Sequence, residues 1–257
     1  MNDVADHLSH YCRIIMPRSY PFAIEFAGRF GMFARADTGS EPCSYEVPTK
    51  SVAKGMIESI SRLAGAVVEP VAVGMCNSPQ WLDYAFNSYS PHRKRSQRDE
   101  GNPCQIRTSI LENPRYVILG LIHGRDDSWV NEKDKYRNID IRINQAHFAQ
   151  QRLLRRVKKG VYREVPVMGW KDFPVNDISL QKTSIISYNS VIPIFLSVAS
   201  YEYSSPVFQR NNNVAIKNGI LVYGEEKVKL KNENGINILT FDDPKLDKLL
   251  DEFRRIK

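Results

Sequence analysis

The sequence predicts an α+β protein in which a split βαβ domain is followed by a β-rich C-terminal lobe. Three observations support this class. Strand-like and helix-like hydrophobic periods alternate through the first two thirds of the chain, strand-like periods dominate after Gly169, and an amphipathic helix closes the chain. We place the N-terminal extension at residues 1–20, the first domain at 21–175 and the C-terminal lobe with its terminal helix at 176–257.

An alternating run predicts the first strand. Phe22, Ile24 and Phe26 are apolar at every second position, as expected of a strand with one buried face. Gly28 and Gly31 then interrupt the run, which indicates a β-bulge or a close approach of two backbones.

The first helix is predicted to begin at Thr49. Pro48 favours an extended residue before it, and the Thr49 hydroxyl can cap the first turn, whose free N–H groups can hold a phosphate. Lys50 and Lys54 lie apart from the apolar face, and Gly55 indicates close packing or the approach of a ligand because glycine costs a helix about 1 kcal/mol. The apolar face consists of Val52, Ala53, Met56, Ile57 and Ile60.

The middle of the chain completes the first domain. Residues 71–73 predict a strand, and residues 107–111 and 116–122 predict a hairpin around Asn113-Pro114. A second helix ends at Gly160, and residues 161–168 predict the strand that follows it. Its predicted buried side consists of Ala146, Phe148, Leu153, Leu154 and Val157. The order strand, helix, strand, strand, helix, strand is ferredoxin-like, as in RRM-type domains, in which two helices cover one face of the sheet.

The C-terminal lobe is predicted from apolar runs and one strong turn signal. Residues 191–198 and 220–222 predict strands, and Asn234-Gly235 predicts a hairpin turn. Asp243 as N-cap and Pro244 as the first helical residue predict the terminal helix. Its apolar face consists of Leu246, Leu249, Leu250, Phe253 and Ile256.

The positive charge is concentrated in two segments. The formal net charge is +7 and the isoelectric point is near 9.2, which favours binding to a polyanion such as RNA. For the segment that contains Arg93 to Arg98, the alternative is a loop without a partner. For the segment that contains Arg152 to Lys159, the alternative is a solvated helix face. The candidate RNA-binding cations are Arg93, Lys94, Arg95 and Arg98, then Arg152, Arg155, Arg156, Lys158 and Lys159, together with Lys50 and Lys54 of the first helix.

Several functional classes find no support in the sequence. There is no run of eighteen apolar residues and no secretory signal pattern, so we expect a cytoplasmic protein that does not bind a membrane. The four cysteines are widely separated and are expected to be reduced thiols. Asp126, Asp127, Glu132 and Asp134 do not have the spacing of a two-metal nuclease, and no nucleotide-binding fingerprint occurs, so we predict neither a metal nor a cofactor.

Residues 22–60 carry a resemblance to a known family. Phe26-x-Gly28-x-Phe30, the segment Ser44-Tyr45-x-Val47-Pro48-Thr49 and the helix that ends at Ile60 resemble the fifth Cas family of the RAMP superfamily, with most similarity to its subtype I-C branch. Residues 167–173 and 208–222 resemble later segments of that branch. The resemblance covers about residues 21 to 224.

The resemblance implies a subunit of Cascade, the CRISPR RNA surveillance complex. Members of this family hold the five-prime handle of the CRISPR RNA and contact the backbone and large subunits, so target DNA is an indirect partner. In the I-C branch the same protein also looks like the metal-independent endoribonuclease that cuts the precursor RNA, with tyrosine, lysine and histidine as its catalytic residues. The corresponding positions here are Ser61, Ala146 and His147, so only the histidine is retained.

Two functional hypotheses therefore remain. In the first, the protein binds RNA and assembles the complex without cutting. In the second, it is the endoribonuclease, with His147 as base and with replacements drawn from Lys158, Lys159 or Tyr162. Tyr45 and Trp170 are candidates for stacking on bases, with buried packing as the alternative. His92 and His123 are isolated in the sequence and are expected to have surface or hairpin roles.

Overall fold

The computed structural model describes residues 19–39, 41–63, 65–88, 104–124, 145–202 and 205–255. Within these ranges the chain forms an α+β fold with mostly antiparallel sheets, which confirms the predicted class. The helices are α1 (Lys50–Ile60), α2 (Gln145–Lys159) and α3 (Pro244–Arg255). The strands are β1 (Ser19–Gly28), β2 (Phe30–Gly31), β3 (Ala66–Met75), β4 (Gln80–Ser88), β5 (Cys104–Glu112), β6 (Arg115–Gly124), β7 (Val175–Leu180), β8 (Ser190–Glu202), β9 (Ser205–Ile216), β10 (Ile220–Val222), β11 (Val228–Glu233) and β12 (Ile236–Phe241).

A five-stranded antiparallel sheet forms the centre of the molecule. Its strand order is β10-β3-β6-β1-β7. Because β1 and β3 are both antiparallel to β6, α1 connects two parallel strands, and α2 does the same between β6 and β7. β7 and β10 thus hydrogen-bond to strands of the predicted first domain, and the boundary after residue 175 stays a prediction.

The centre of the sheet is closely packed. Phe22 of β1 lies opposite Gly120 of β6, and a Cβ atom on Gly120 would lie 2.6 Å from the Phe22 ring and 2.5 Å from the Glu69 carbonyl oxygen. Only glycine therefore fits at position 120. The apolar face of α1 packs onto this sheet through Ala53, Met56, Ile57 and Ile60, as predicted.

Four turns and caps follow the sequence prediction. The Thr49 hydroxyl accepts a hydrogen bond from the Val52 N–H at 3.3 Å. Gly160 ends α2 with φ at +63°, and Asn234-Gly235 joins β11 to β12 with both φ angles positive. The Asp243 carboxylate accepts a hydrogen bond from the Lys245 N–H at 2.8 Å and caps α3.

The predicted strand at residues 161–168 is wrong. The strand that follows α2 is β7, and residues 161–168 contribute only an isolated bridge at Val167. The backbone N–H groups of Arg163 and Glu164 donate to the carbonyls of Ile60 and Ser59. This segment is therefore used to cap the C-terminal end of α1, which leaves it unable to pair in the sheet.

The predicted hairpin around Asn113-Pro114 is also wrong. β5 pairs with β4 and β2, whereas β6 pairs with β1 and β3 in the central sheet. The Asn113 N–H donates to the Arg29 carbonyl at 2.7 Å, and the Gly28 N–H donates to the Pro114 carbonyl at 3.0 Å. The junction of β1 and β2 therefore lies between β5 and β6 and directs them into different sheets.

Two smaller expectations about the helices also fail. The hydrophobic pattern predicts Phe148 on the buried side of α2, but this residue is 43% exposed. Gly55 does not permit close packing within the described chain, because a Cβ atom there would meet nothing within 4 Å, and the alternative, the approach of a ligand, stays a prediction.

Candidate RNA-binding surface

The outward side of α2 carries a cluster of cations. Arg155, Lys158 and Lys159 are exposed and Arg152 is half-buried, and α2 contains no acidic residue. Within the described residues, no ion pair is formed by Arg152, Arg155 or Lys159. We call Arg152, Arg155 and Lys159 the α2 basic face, and its uncompensated charge makes it attractive to phosphate groups.

Arg156 has a different position from the other α2 cations. Its guanidinium donates a hydrogen bond to the Ile60 carbonyl at 2.7 Å, where α1 ends. A cation at a helix C-terminus satisfies a carbonyl that has no partner within the helix and opposes the negative end of the helix dipole. Arg156 therefore connects α2 to α1, and we leave it out of the α2 basic face.

His147 lies beside Tyr20, a residue distant from it in the sequence. The ring centroids of His147 and Tyr20 are 5.0 Å apart, and the side-chain nitrogens of His147 and Gln151 are 3.5 Å apart. Burial raises the pKa of the Tyr20 hydroxyl, so Tyr20 is protonated at neutral pH. No local signal points to this pair, because Tyr20 belongs to β1 and His147 to α2.

The positions that correspond to the tyrosine and lysine of the resembled enzymes face the interior. Ser61 is 7% exposed and Ala146 is 0% exposed. The Ser61 backbone N–H donates to the Ile57 carbonyl at the end of α1. Neither position presents a side chain to solvent beside His147.

Both lysines of α1 have carboxylate neighbours. The Lys50 ammonium lies 2.9 Å from Glu69, and the Lys54 ammonium lies 3.9 Å from Glu58 one turn further along the helix. Their charges are therefore partly compensated inside the chain, unlike those of the α2 basic face.

His123, which is isolated in the sequence, belongs to a chain of polar contacts on the central sheet. Its Nδ1 lies 2.8 Å from the Ser19 hydroxyl and its Nε2 lies 2.9 Å from Glu69, which also bonds Lys50. Burial raises the pKa of the Glu69 carboxyl, but the bonds from Lys50 and His123 outweigh it and hold this pKa below its ordinary value. Glu69 is therefore ionised at neutral pH and orients the His123 ring.

The two candidate stacking residues are both engaged by other rings. Tyr45 is 2% exposed, packs against Phe195 at 5.0 Å, and its hydroxyl oxygen accepts a hydrogen bond from the Leu196 N–H. Buried packing, the alternative named for Tyr45, is what the structure shows, so its ring presents no face to a base. Trp170 is half-buried and contacts Phe86 at 5.1 Å and Phe173 at 6.3 Å.

Other predicted residues lie outside the described part of the chain. These are Arg93, Lys94, Arg95 and Arg98 of the first basic segment, together with His92 and the acidic group at residues 126–134. Among the residues that are described, no group of three His, Cys, Asp or Glu side chains is arranged to hold a metal ion, and Cys43 and Cys76 are free thiols. No helix in the described ranges has the length and apolar character needed to span a membrane.

Comparison with known proteins identifies a shared fold. No protein-family model matches the sequence, and no curated protein matches it either. A solved structure described as the crystal structure of a CRISPR-associated protein aligns with 87% of this chain and 98% of its own, at 15% identity and a TM-score of 0.57. The functionally uncharacterized protein SMU1763c from Streptococcus mutans aligns over the same shares at 16% identity and a TM-score of 0.57.

A third solved structure has a lower score. A chain of a CRISPR RNA-guided surveillance complex aligns with 79% of this chain and 91% of its own, at 10% identity and a TM-score of 0.46. At the identities of the first two structures the likeness concerns the fold alone. The chain therefore shares its fold with a solved CRISPR-associated protein.

Proposed function

We propose that this protein is a subunit of a Cascade-type CRISPR RNA surveillance complex, where it binds the five-prime handle of the CRISPR RNA and nucleates assembly for antiviral defence. The observation that carries the proposal is the α2 basic face, whose cations form no ion pair among the described residues, on a fold shared with a CRISPR-associated protein. Closely spaced Lys and Arg side chains bind RNA phosphates and release counterions.

The proposal includes the partners and the fold family. The partners are the CRISPR RNA and the backbone and large subunits of the complex, with target DNA bound indirectly, in the cytoplasm. The RAMP, ferredoxin-like assignment is supported by the two strand-helix-strand units, β1-α1-β3 and β6-α2-β7, whose strands lie in the order β3-β6-β1-β7.

A second candidate function is metal-independent cleavage of precursor CRISPR RNA. The observation that favours it is the contact between His147 and Tyr20. An imidazole can take the proton from a 2′-hydroxyl, and a protonated phenol can donate to the leaving oxygen. The cleavage then requires no metal, because the 2′-oxygen attacks the adjacent phosphorus and displaces the 5′-oxygen.

Two positions argue against efficient cleavage. Where the resembled enzymes carry tyrosine and lysine, this chain has Ser61 and Ala146, and both side chains face the interior. Each missing catalytic group is worth roughly a hundredfold or more in rate. Replacing Ala146 by lysine would bury an ammonium group at a fully enclosed position, so we do not expect that substitution to restore activity.

The experiment that tests the proposal separates binding from cutting. The purified protein is incubated with labelled precursor repeat RNA, or with a scrambled RNA of the same length, in EDTA, and is analysed on native and denaturing gels. We expect a preference for the repeat RNA with little or no cleavage. Equal affinity for both RNAs would contradict handle binding.

The same gels decide between the two candidate functions. Cleavage of the repeat RNA at a unique site within minutes, abolished by His147→Ala, would establish the endoribonuclease instead. The matched control is Gln151→Ala, which alters a neighbour of His147 on the same helix face and leaves the imidazole in place. Loss of cleavage in both variants would indicate a disturbed surface and not a catalytic base.

A further inference from the structure

An aromatic side chain lies in the first turn of α2, on its outward side. Phe148 is 43% exposed, although the hydrophobic pattern placed it on the buried side. The interior side of α2 is formed by other residues, namely Ala146, Ala149, Gln150, Leu153, Leu154 and Val157. Phe148 is therefore not needed to attach the helix to the sheet.

Phe148 shares one stripe of the helix with three cations. Arg152, Arg155 and Lys159 follow it at intervals of four, three and four residues, and side chains at these intervals lie on the same face. From Phe148 to Lys159 the helix rises about 16 Å. The ring and the three cations therefore form one continuous stripe along this length of the helix.

The composition of this stripe favours RNA over a protein or a membrane. The cores of protein interfaces are depleted in lysine and are rich in apolar contact, whereas this stripe has one ring among cations. A membrane-bound helix inserts its apolar side into the lipid, but the apolar side of α2 is buried against the sheet. An aromatic ring beside cations is the combination that binds single-stranded nucleic acid, because the bases stack on the ring and the phosphates contact the cations.

We propose that Phe148 stacks on an unpaired base of bound RNA while Arg152, Arg155 and Lys159 contact the neighbouring phosphates. This inference rests on the proposed function, and it adds that α2 recognises a single-stranded segment. A duplex keeps its bases stacked on each other and offers none to the ring, so the ring contributes nothing to duplex binding.

The test measures the affinity of full-length variants for one RNA in two forms. A fluorescein-labelled RNA without self-complementarity is used single-stranded and after annealing to its complement. We expect Phe148→Ala to weaken binding of the single strand by about fivefold to about a hundredfold and to leave duplex affinity unchanged. Phe148→Trp retains an aromatic face and should keep the wild-type affinity.

Two further variants control for apolar bulk. Phe148→Leu keeps an apolar side chain without an aromatic face, so it should bind the single strand as poorly as the alanine variant. Val161→Ala shortens a 57% exposed apolar side chain just beyond α2 and should have no effect. A 2-aminopurine base in the RNA reports stacking directly, since its fluorescence should be quenched by the wild type and not by Phe148→Leu.

The possible outcomes separate the two proposals. Wild-type affinity and quenching in Phe148→Leu would overturn the stacking inference and leave the proposed function standing. Failure of the wild type to bind either RNA form would overturn the proposed function itself.

Discussion

The distinction between Arg156 and the α2 basic face can be tested quantitatively. Arg152, Arg155 and Lys159 have no ion pair in the described chain, whereas Arg156 donates to the Ile60 carbonyl at 2.7 Å. We expect the triple variant Arg152→Ala/Arg155→Ala/Lys159→Ala to lose RNA affinity without losing stability. Arg156→Ala should do the opposite.

The magnitudes follow from the number and kind of contacts. For single-stranded RNA each phosphate contact contributes about 0.7 to the slope of log K against log salt concentration, so loss of three contacts should flatten the slope by about 2. Arg156→Ala removes one hydrogen bond from a charged donor, which corresponds to about 1.5 kcal/mol at this half-exposed site. Its salt slope should stay at the wild-type value.

Two assays measure these quantities. Fluorescence anisotropy with labelled repeat RNA, from about 50 mM to about 300 mM NaCl, gives the slope, and urea unfolding gives the free energy. The matched control is Lys217→Ala/Lys227→Ala/Lys245→Ala, which lowers the net charge by the same amount at exposed positions away from α2. If the α2 triple variant kept the wild-type slope, the assignment of RNA phosphate contacts to the α2 basic face would be refuted. It would also be refuted if the control variant flattened the slope as much as the α2 triple variant does.

Three other predictions concern the interior and the sheet surface. Glu25 is 1% exposed and accepts four hydrogen bonds, so Glu25→Gln should lower the free energy of unfolding by roughly 3 kcal/mol in urea titrations, and an unchanged midpoint would contradict this. Lys50 and His123 hold the pKa of Glu69 in the folded protein below its value in the unfolded chain. The ionised Glu69 carboxylate therefore stabilises the folded state above the unfolded pKa, and this contribution is lost as the pH falls through the folded pKa. Glu69→Gln should therefore make thermal stability less dependent on pH below about 5. The same pH dependence in the variant and in the wild type would contradict a stabilising role for the contacts of Glu69 with Lys50 and His123. Burial raises the pKa of the Cys76 thiol to about 12, so iodoacetamide should label it at pH 8 only after unfolding, as peptide mass spectrometry would show.

Elements that depend on near neighbours in the chain could be predicted from the sequence. The cap at Thr49, the turn at Asn234-Gly235 and the N-terminus of α3 at Asp243-Pro244 each involve residues within about four positions of one another. The hydrophobic period of α1 also identified its buried face. In these cases the interaction that decides the structure is contained in the segment itself.

Strand pairing depended on the rest of the molecule. Strand-like patterns occur at residues 107–111 and 116–122. These patterns do not predict that the β1-β2 junction lies between the two strands. Likewise, residues 161–168 have a strand-like pattern, yet their N–H groups cap α1. A periodic pattern predicts that a segment is extended, whereas its partner is selected by the total packing.

The candidate site divides in the same way. The sequence by itself determined that α2 is a helix with a dense run of cations and no carboxylate, because composition and period are local properties. Only the tertiary structure decided that Arg156 caps α1, that Tyr20 lies beside His147, and that His123 bonds Glu69. The physical reason is that each of these contacts joins residues distant in sequence, and such residues meet only after the sheet has assembled and brought their strands and helices together.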